Sequence, residues 1–115
     1  MTLELLRAKL HRIRVTEANL DYEGSLTVDA DLMDAVGMLP YEKILVADVE
    51  NGNRFETYLI SGLRGSRVCC LNGAAAHMGK VGDRLIVMAF AHMTPDEAAG
   101  FTPKVGHLDK SNRLK

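Results

Sequence analysis

Apolar Leu6, Ala8 and Leu10 alternate with polar Arg7, Lys9 and His11, the period-two pattern of a strand with one buried face. The apolar phase then slips by one residue to Ile13 and Val15. A β-bulge or bend produces such a slip, because one extra residue turns every later side chain to the other face. Asp29 is placed to cap a helix over Ala30 to Val36. Leu32, Ala35, Val36 and Leu39 recur there at helical spacing, and Gly37 and Pro40 stop it. Ile44 to Val49 reads as a strand. Asn51-Gly52 then offers the positive φ angles of a tight hairpin, and Arg54 to Ile60 returns as the partner strand. Val68 to Leu71 and Leu85 to Ala91 are further strands, rich in β-branched and apolar residues. Thr94-Pro95-Asp96-Glu97 opens a second helix, with Thr as cap, Pro in the first position and Glu closing a capping box. From Lys104 onward the chain is polar, and its end is expected to fray. Many short strands with two short helices and no repeat or linker predict one domain over residues 1–115, a compact β-barrel with α additions.

Composition narrows the classes without naming a reaction. Apolar residues make up 47% of the 115 residues, enough for a core without disulfides or metal. The net charge of −1 gives no overall field that favours nucleic acid. Arg7, Lys9, Arg12 and Arg14 form a basic run, but three Tyr, three Phe and no Trp leave little for base stacking. The apolar runs are too short to cross a bilayer, and Met1 is followed closely by Glu4 and Arg7 with no apolar leader core. A cytoplasmic protein without membrane contact is the expectation. Cys69 and Cys70 are adjacent, so a strand points them to opposite faces, and they read as small reduced core residues. His11, His77, His92 and His107 lack metal-ligand spacing, so no metal site is expected.

Two Gly-Ser pairs occur, Gly24-Ser25 and Gly65-Ser66, and local physics does not choose between them as reactive sites or ordinary turns. Three segments together resemble the aspartate 1-decarboxylase family. These are Lys9-Leu10-His11-Arg12 running into Tyr22-Glu23-Gly24-Ser25, then Asn51 to Tyr58, then Arg64 to Arg67 running into Asn72-Gly73-Ala74-Ala75-Ala76-His77. Val81-Gly82-Asp83 and the helix start after Met93 extend the likeness over nearly the whole chain. Two positions depart from the usual pattern: Leu26 follows the serine where a polar or small residue is common, and Ala47 stands where some members carry an aromatic.

The resemblance implies a mainly β fold, a small double-psi β-barrel, assembled as a homotetramer with sites between subunits. It implies self-cleavage between Gly24 and Ser25 into fragments 1–24 and 25–115, the second beginning with a pyruvoyl group made from Ser25. The reaction implied is decarboxylation of L-aspartate to β-alanine and CO2, supplying pantothenate synthesis. Such chemistry leaves charge on Cα and needs an electron sink, which a pyruvoyl ketone provides by condensing with the substrate amine. By the same resemblance Thr57 polarises the Gly24 carbonyl during cleavage, and Tyr58 returns a proton to Cα. Arg54 and Lys9 hold carboxylates, and the Gly73-Ala74-Ala75 backbone approaches the substrate. His11, Tyr22 and Asn72 support the site. Alternation along the strand puts Arg54, Glu56 and Tyr58 on one face and Thr57 on the other. A non-catalytic barrel that never cleaves, and a different acidic substrate such as glutamate, stay open. So does the question of whether cleavage needs a maturation helper protein.

Overall fold

The computed structural model describes all residues 1–115. Eight strands hydrogen-bond in one order, β2-β6-β3-β5-β4-β7-β1-β8. They are β1 (Leu3–Arg14), β2 (Glu17–Asn19), β3 (Ser25–Asp29), β4 (Lys43–Asp48), β5 (Arg54–Gly62), β6 (Cys69–Asn72), β7 (Arg84–Met93) and β8 (Lys104–His107). Two helices, α1 (Ala30–Val36) and α2 (Pro95–Ala98), and a 3₁₀ turn over Gly73–His77 complete the fold. The molecule is mainly β, as a small double-psi β-barrel is. No helix is long and apolar enough to cross a membrane.

The slipped phase in β1 is a bulge. β1 pairs antiparallel with β7 from Leu3↔Met93 to Arg14↔Arg84, with register shifts between Leu6 and Ala8 and between His11 and Ile13. Arg12 takes the left-handed conformation at the second shift, with φ 67°. The buried set therefore passes from Ala8 and Leu10 to Ile13 and Val15 without a break in the core. Beyond the bulge the Val15 N–H donates to Asp83 O at 2.9 Å and the Thr16 N–H to Cys69 O at 2.8 Å, tying β1 across to β6. Leu10, Ile13, Leu26, Leu59, Leu71 and Leu85 fill the interior, each worth roughly 1.5–3 kcal/mol of burial.

Helix α1 has the expected ends. Asp29 Oδ1 accepts the Asp31 N–H at 2.8 Å, and Gly37 closes the helix at φ 73°. Its buried face is Ala30, Leu32, Met33 and Val36; Ala35 and Leu39 turn to solvent, so the apolar stripe sits one position off the expected one. The capping box of α2 forms as expected. Between β4 and β5 only Gly52 has a positive φ, and the Asp48 N–H donates to Asn53 O, so the turn is wider than a two-residue hairpin.

The tail from Lys104 does not fray. β8 pairs in parallel with β1, and Leu108 is buried. Asn112, 2% exposed, holds the end in place: its Oδ1 accepts the Arg14 N–H at 2.7 Å, and its Nδ2 donates to Arg14 O at 2.9 Å and Arg67 O at 3.0 Å. Polar composition suggested a loose end, but one buried amide replaces the water that the bulged β1 backbone would otherwise need.

Candidate functional site

Ser25 opens β3 and is fully buried. Its Oγ accepts from Asn72 Nδ2 at 3.0 Å and lies 3.5 Å from Glu23 O. Asn72 ends β6 directly opposite, in register Ser25↔Asn72, and is itself buried. Its second amide proton goes to Thr27 Oγ1 at 2.8 Å, and its Oδ1 accepts the Cys70 thiol at 3.1 Å. The side-chain amide is thus fully engaged and holds the Ser25 hydroxyl in one place. Thr27 belongs to this set although sequence reasoning did not single it out. Its position two residues past Ser25, on the same strand face, was the available signal.

Gly73 presses against the 22–24 segment that leads into Ser25. It sits at φ 61°, and a Cβ there would lie 2.7 Å from Gly24 N and from Tyr22 O and 2.8 Å from Gly24 Cα. The small residues after Asn72 do permit close approach of backbone, as expected, but what approaches is the chain's own 22–24 segment. Ala75 is buried, and Ala74 faces solvent. Tyr22 is 54% exposed, and a Cβ at Gly24 would make only ordinary contact with Asn72 O, at 3.9 Å. Gly73→Ala is expected to displace residues 22–24 and lower stability by about 1–3 kcal/mol from overpacking, with further strain from the left-handed φ. A thermal melt, with the Gly24 and Ser25 amide resonances, measures this.

Strand β5 brings the next group. It runs parallel to β3 from Leu26↔Leu59 to Asp29↔Gly62. The pairing begins at Leu26; continued backward it would set Ser25 level with Tyr58, and Gly24, in the bend before β3, level with Thr57. Arg54, Glu56 and Tyr58 are exposed on one face, while half-buried Thr57 shares the inner face with Phe55 and buried Leu59. The alternation expected for Thr57 and Tyr58 therefore holds. Neither hydroxyl makes an intrachain hydrogen bond. Arg54 has no ion-pair partner, whereas Glu56 is held by Lys43 at 2.6 Å.

Lys9 and His11 lie elsewhere. Strands β5, β4 and β7 lie between β1 and β3 in the sheet order, and neither Lys9 nor His11 hydrogen-bonds to Ser25 or Asn72. They stand on the outer sheet face, where the registers form rows: His11, Ile86, Ala47 and Arg54 in one, Lys9, Met88, Leu45 and Glu56 in the next. With strands about 4.8 Å apart, His11 and Arg54 are roughly 14 Å apart across the sheet. His11 stacks edge-on against His107 with centroids 5.3 Å apart, and its Nδ1 is buried without a partner. Burial, then the charge of Lys9, holds its pKa below the usual value. The thiols are not reactive candidates: burial pushes Cys69 far up and Cys70 up to about 11. The second Gly-Ser pair is an ordinary turn. Ser66 is exposed and its Oγ donates to Leu63 O at 2.5 Å, while Asp29 accepts the Gly65 and Arg67 N–H groups.

Comparison with known proteins adds an independent line. The family model described as aspartate decarboxylase matches residues 1–115. A protein of Salinibacter ruber named aspartate 1-decarboxylase is 56% identical over 112 residues, covering 97% of this chain and 77% of its own. Proteins of the same name from Exiguobacterium sibiricum and Clostridium botulinum (strain 657) are 54% and 50% identical over 115 residues, each match covering all of this chain and 91% of the relative.

Proposed function

The chain belongs to the aspartate decarboxylase family, and from that premise we propose that it converts L-aspartate to β-alanine and CO2 for pantothenate synthesis, using a pyruvoyl group that it makes from its own Ser25. The observation that carries this reading is the buried, fixed Ser25 at the end of a tightly packed 22–24 segment. Asn72 holds the Ser25 hydroxyl, and Gly73 packs so closely on Tyr22 O and Gly24 N that it has no room for a methyl group of its own. That setting fits a pyruvoyl at position 25, because the donor now on Ser25 Oγ and the small residues beside it suit a compact carbonyl group.

Maturation begins with the Ser25 hydroxyl attacking the Gly24 carbonyl carbon. The peptide nitrogen leaves that carbon, and the acyl group of residues 1–24 passes to oxygen as an ester. Loss of the Cα proton of residue 25 then expels the carboxylate of Gly24, cutting the chain. Water hydrolyses the dehydroalanine left behind, releasing ammonia, so the second fragment, 25–115, begins with a ketone. Gly24 suits the attack because it has no Cβ in the way. Thr57, level with Gly24 in the extended register, is the hydroxyl assigned to the oxygen that becomes negative.

A pyruvoyl group supplies a ketone that condenses with an amine and an adjoining amide that withdraws electrons, a sink no ordinary side chain offers. The surrounding residues bind and move protons. Arg54, exposed and unpaired, presents a planar fork for one aspartate carboxylate. Tyr58, level with Ser25, carries a phenol hydroxyl with no partner in the chain, free to donate a proton to Cα. Ala74, Ala75 and the Gly73 backbone border the substrate, with Tyr22 beside them. Lys9 and His11 are assigned to the site from a neighbouring copy; their place on the outer face that also bears Arg54 supports sites between subunits, and the resemblance supplies the homotetramer.

The test is the intact mass of the denatured chain after prolonged warming. Two fragments, 1–24 and 25–115, are expected, the second blocked to Edman sequencing because it lacks an amine. A single uncleaved mass, both alone and after incubation with cell extract that supplies any maturation helper, overturns the reading. Thr57→Val keeps the shape and deletes the hydroxyl, and its cleavage is expected to slow by ~10²–10³-fold. Wild-type cleavage kinetics in that variant remove Thr57 from maturation.

A further inference from the structure

Two carboxyl groups lie side by side under the end of the barrel, apart from the site just described. Asp48 ends β4 and is 1% exposed; Asp83, just before β7, is 2% exposed. With Glu50 they place a carboxylate oxygen each within 4.8 Å of one another. Asp48 Oδ1 accepts the Glu50 N–H at 2.8 Å, but its buried Oδ2 has no partner. That oxygen points at Gly79, where a Cβ would meet it at 2.6 Å and Asp83 Oδ2 at 3.3 Å. The other acceptors in the cluster are engaged by cations. Asp83 takes the Lys80 N–H and ammonium, both at 3.1 Å, and Glu50 takes the Arg84 guanidinium at 2.6 Å. A metal ion would have to displace both, whereas a proton between Asp48 and Asp83 satisfies the orphaned oxygen without disturbing either.

The pair joins two segments that border the site. Asp48 begins the turn that leads into Arg54. Asp83 closes the loop that follows Gly73–His77. The same two segments are fastened by Asn51 Nδ2 and Asn53 Nδ2, which both donate to Met78 O at 2.9 Å. We propose that Asp48 is a positioning residue: its protonated carboxyl donates to Asp83 and clasps the Arg54-bearing turn to the 78–83 loop, and its ionisation loosens both. The functional half of this rests on the reading of Arg54 as the carboxylate binder.

Burial, then the hydrogen bond that a protonated Asp48 can give to Asp83, pushes Asp48 up to about 6. Burial also acts to raise Asp83, but the hydrogen bonds from Asp48 and Lys80 outweigh it and hold Asp83 below the ordinary value. The charged groups facing Asp48 are Asp83 and Lys80 from the loop, Glu50 from its own turn and Arg84 from β7. The sign follows from which state binds more protons. Asp48 has a raised folded value, so its contribution is complete below its unfolded value of 3.8 and is lost as pH rises through about 6. Asp83 has a depressed value, so its contribution appears above its unfolded value of 3.8 and vanishes in stronger acid. The clasp is tightest at about pH 4, where both contributions are present, and opening should grow roughly tenfold to a hundredfold from about pH 4.5 to 7.

The experiment uses the full cleaved assembly. Carboxyl ¹³C NMR should show Asp48 titrating near 6, and the protection of the Gly52, Asn53 and Gly79 amides, after correction for the intrinsic rise of exchange with pH, should fall over the same range. Asp48→Asn donates an N–H at every pH, so it should fold normally and flatten the exchange profile. The KM for aspartate should rise with pH in the wild type beyond whatever slope Asp48→Asn retains. An Asp48 carboxyl titrating near 4, or the same exchange profile in Asp48→Asn as in wild type, overturns the clasp. Identical KM slopes in the two, with Arg54→Lys still raising KM, overturn the positioning role. A wild-type KM in Arg54→Lys removes the reading of Arg54 instead, and the clasp is then decided by titration and exchange alone.

Discussion

Ser25→Ala is expected to leave a folded, full-length chain that neither cleaves nor turns over aspartate. The loss is chemical rather than structural. Ser25 is buried, and its Oγ accepts one hydrogen bond, from Asn72. With that oxygen gone, Asn72 keeps Thr27 as a partner for the same nitrogen and Cys70 as a donor to its oxygen. The cost to stability is therefore about 0.5–1.5 kcal/mol, the ordinary net worth of one hydrogen bond. Cleavage has no substitute, because no other hydroxyl is held against the Gly24 carbonyl by the chain's own connectivity. Ser66→Ala is the matched control: Ser66 sits in an exposed turn with its hydroxyl on Leu63 O, and its removal should leave cleavage unchanged. Denaturing mass spectrometry and a thermal melt on both variants separate the cases. Normal turnover by Ser25→Ala would remove the pyruvoyl group from the mechanism.

The second large effect is at Tyr58. Its ring is 36% exposed, and its hydroxyl has no partner within the chain, so Tyr58→Phe should melt as the wild type does. Maturation should also proceed, because the hydroxyl assigned to it belongs to Thr57 on the opposite face of β5. What Tyr58→Phe should lose is kcat, by ~10²–10⁴-fold, the usual worth of a positioned general acid. The measurement needs fully cleaved enzyme, with pyruvoyl content determined first, so that slow maturation is not counted as slow chemistry. Borohydride in the presence of aspartate should still fix substrate to the variant, since binding precedes the proton transfer. Turnover at the wild-type rate would make Tyr58 a strand-packing aromatic and assign the proton to another group.

These two residues show why alternation along a strand mattered to the reading. The pattern from Arg54 to Ile60 put Thr57 and Tyr58 on opposite faces, and they are on opposite faces. A one-sided site could not use both. The two roles proposed differ accordingly: Thr57 lies on the half-buried face with Phe55 and Leu59, which suits maturation, and Tyr58 lies on the exposed face, which suits turnover.

Local chemistry was legible wherever a few adjacent residues decide the backbone. Asp29 and Gly37 bound α1 because a carboxylate satisfies a free N–H and glycine tolerates the left-handed turn. Thr94 and Glu97 close α2 for the same kind of reason. The slip from Leu10 to Ile13 gave away the bulge at Arg12, since only an added residue keeps both ends of β1 facing one core. The likeness carried by Tyr22 to Ser25 and by Asn72 to His77 named the family, but not how the pieces meet.

Tertiary structure decided whatever depends on which strands lie side by side. Strand β8 and the Asn112 clamp were hidden in a polar tail, because a buried amide and a solvated one look alike in sequence. The Asp48–Asp83 pair joins residues far apart in the chain, and its meaning lies wholly in their burial together. Gly73 gained its role from the 22–24 segment it touches, and three strands lie between those of Lys9 and Ser25 in the sheet order. Short-range hydrogen bonds and side-chain periodicity act within a few residues, so the sequence by itself determined both helices and the longer strands, and pointed to Gly24-Ser25 by likeness, while β2, β3 and β8 were not legible. Strand order, burial and the spacing of charges arise only when distant segments share one core, and these decided which residues can act together.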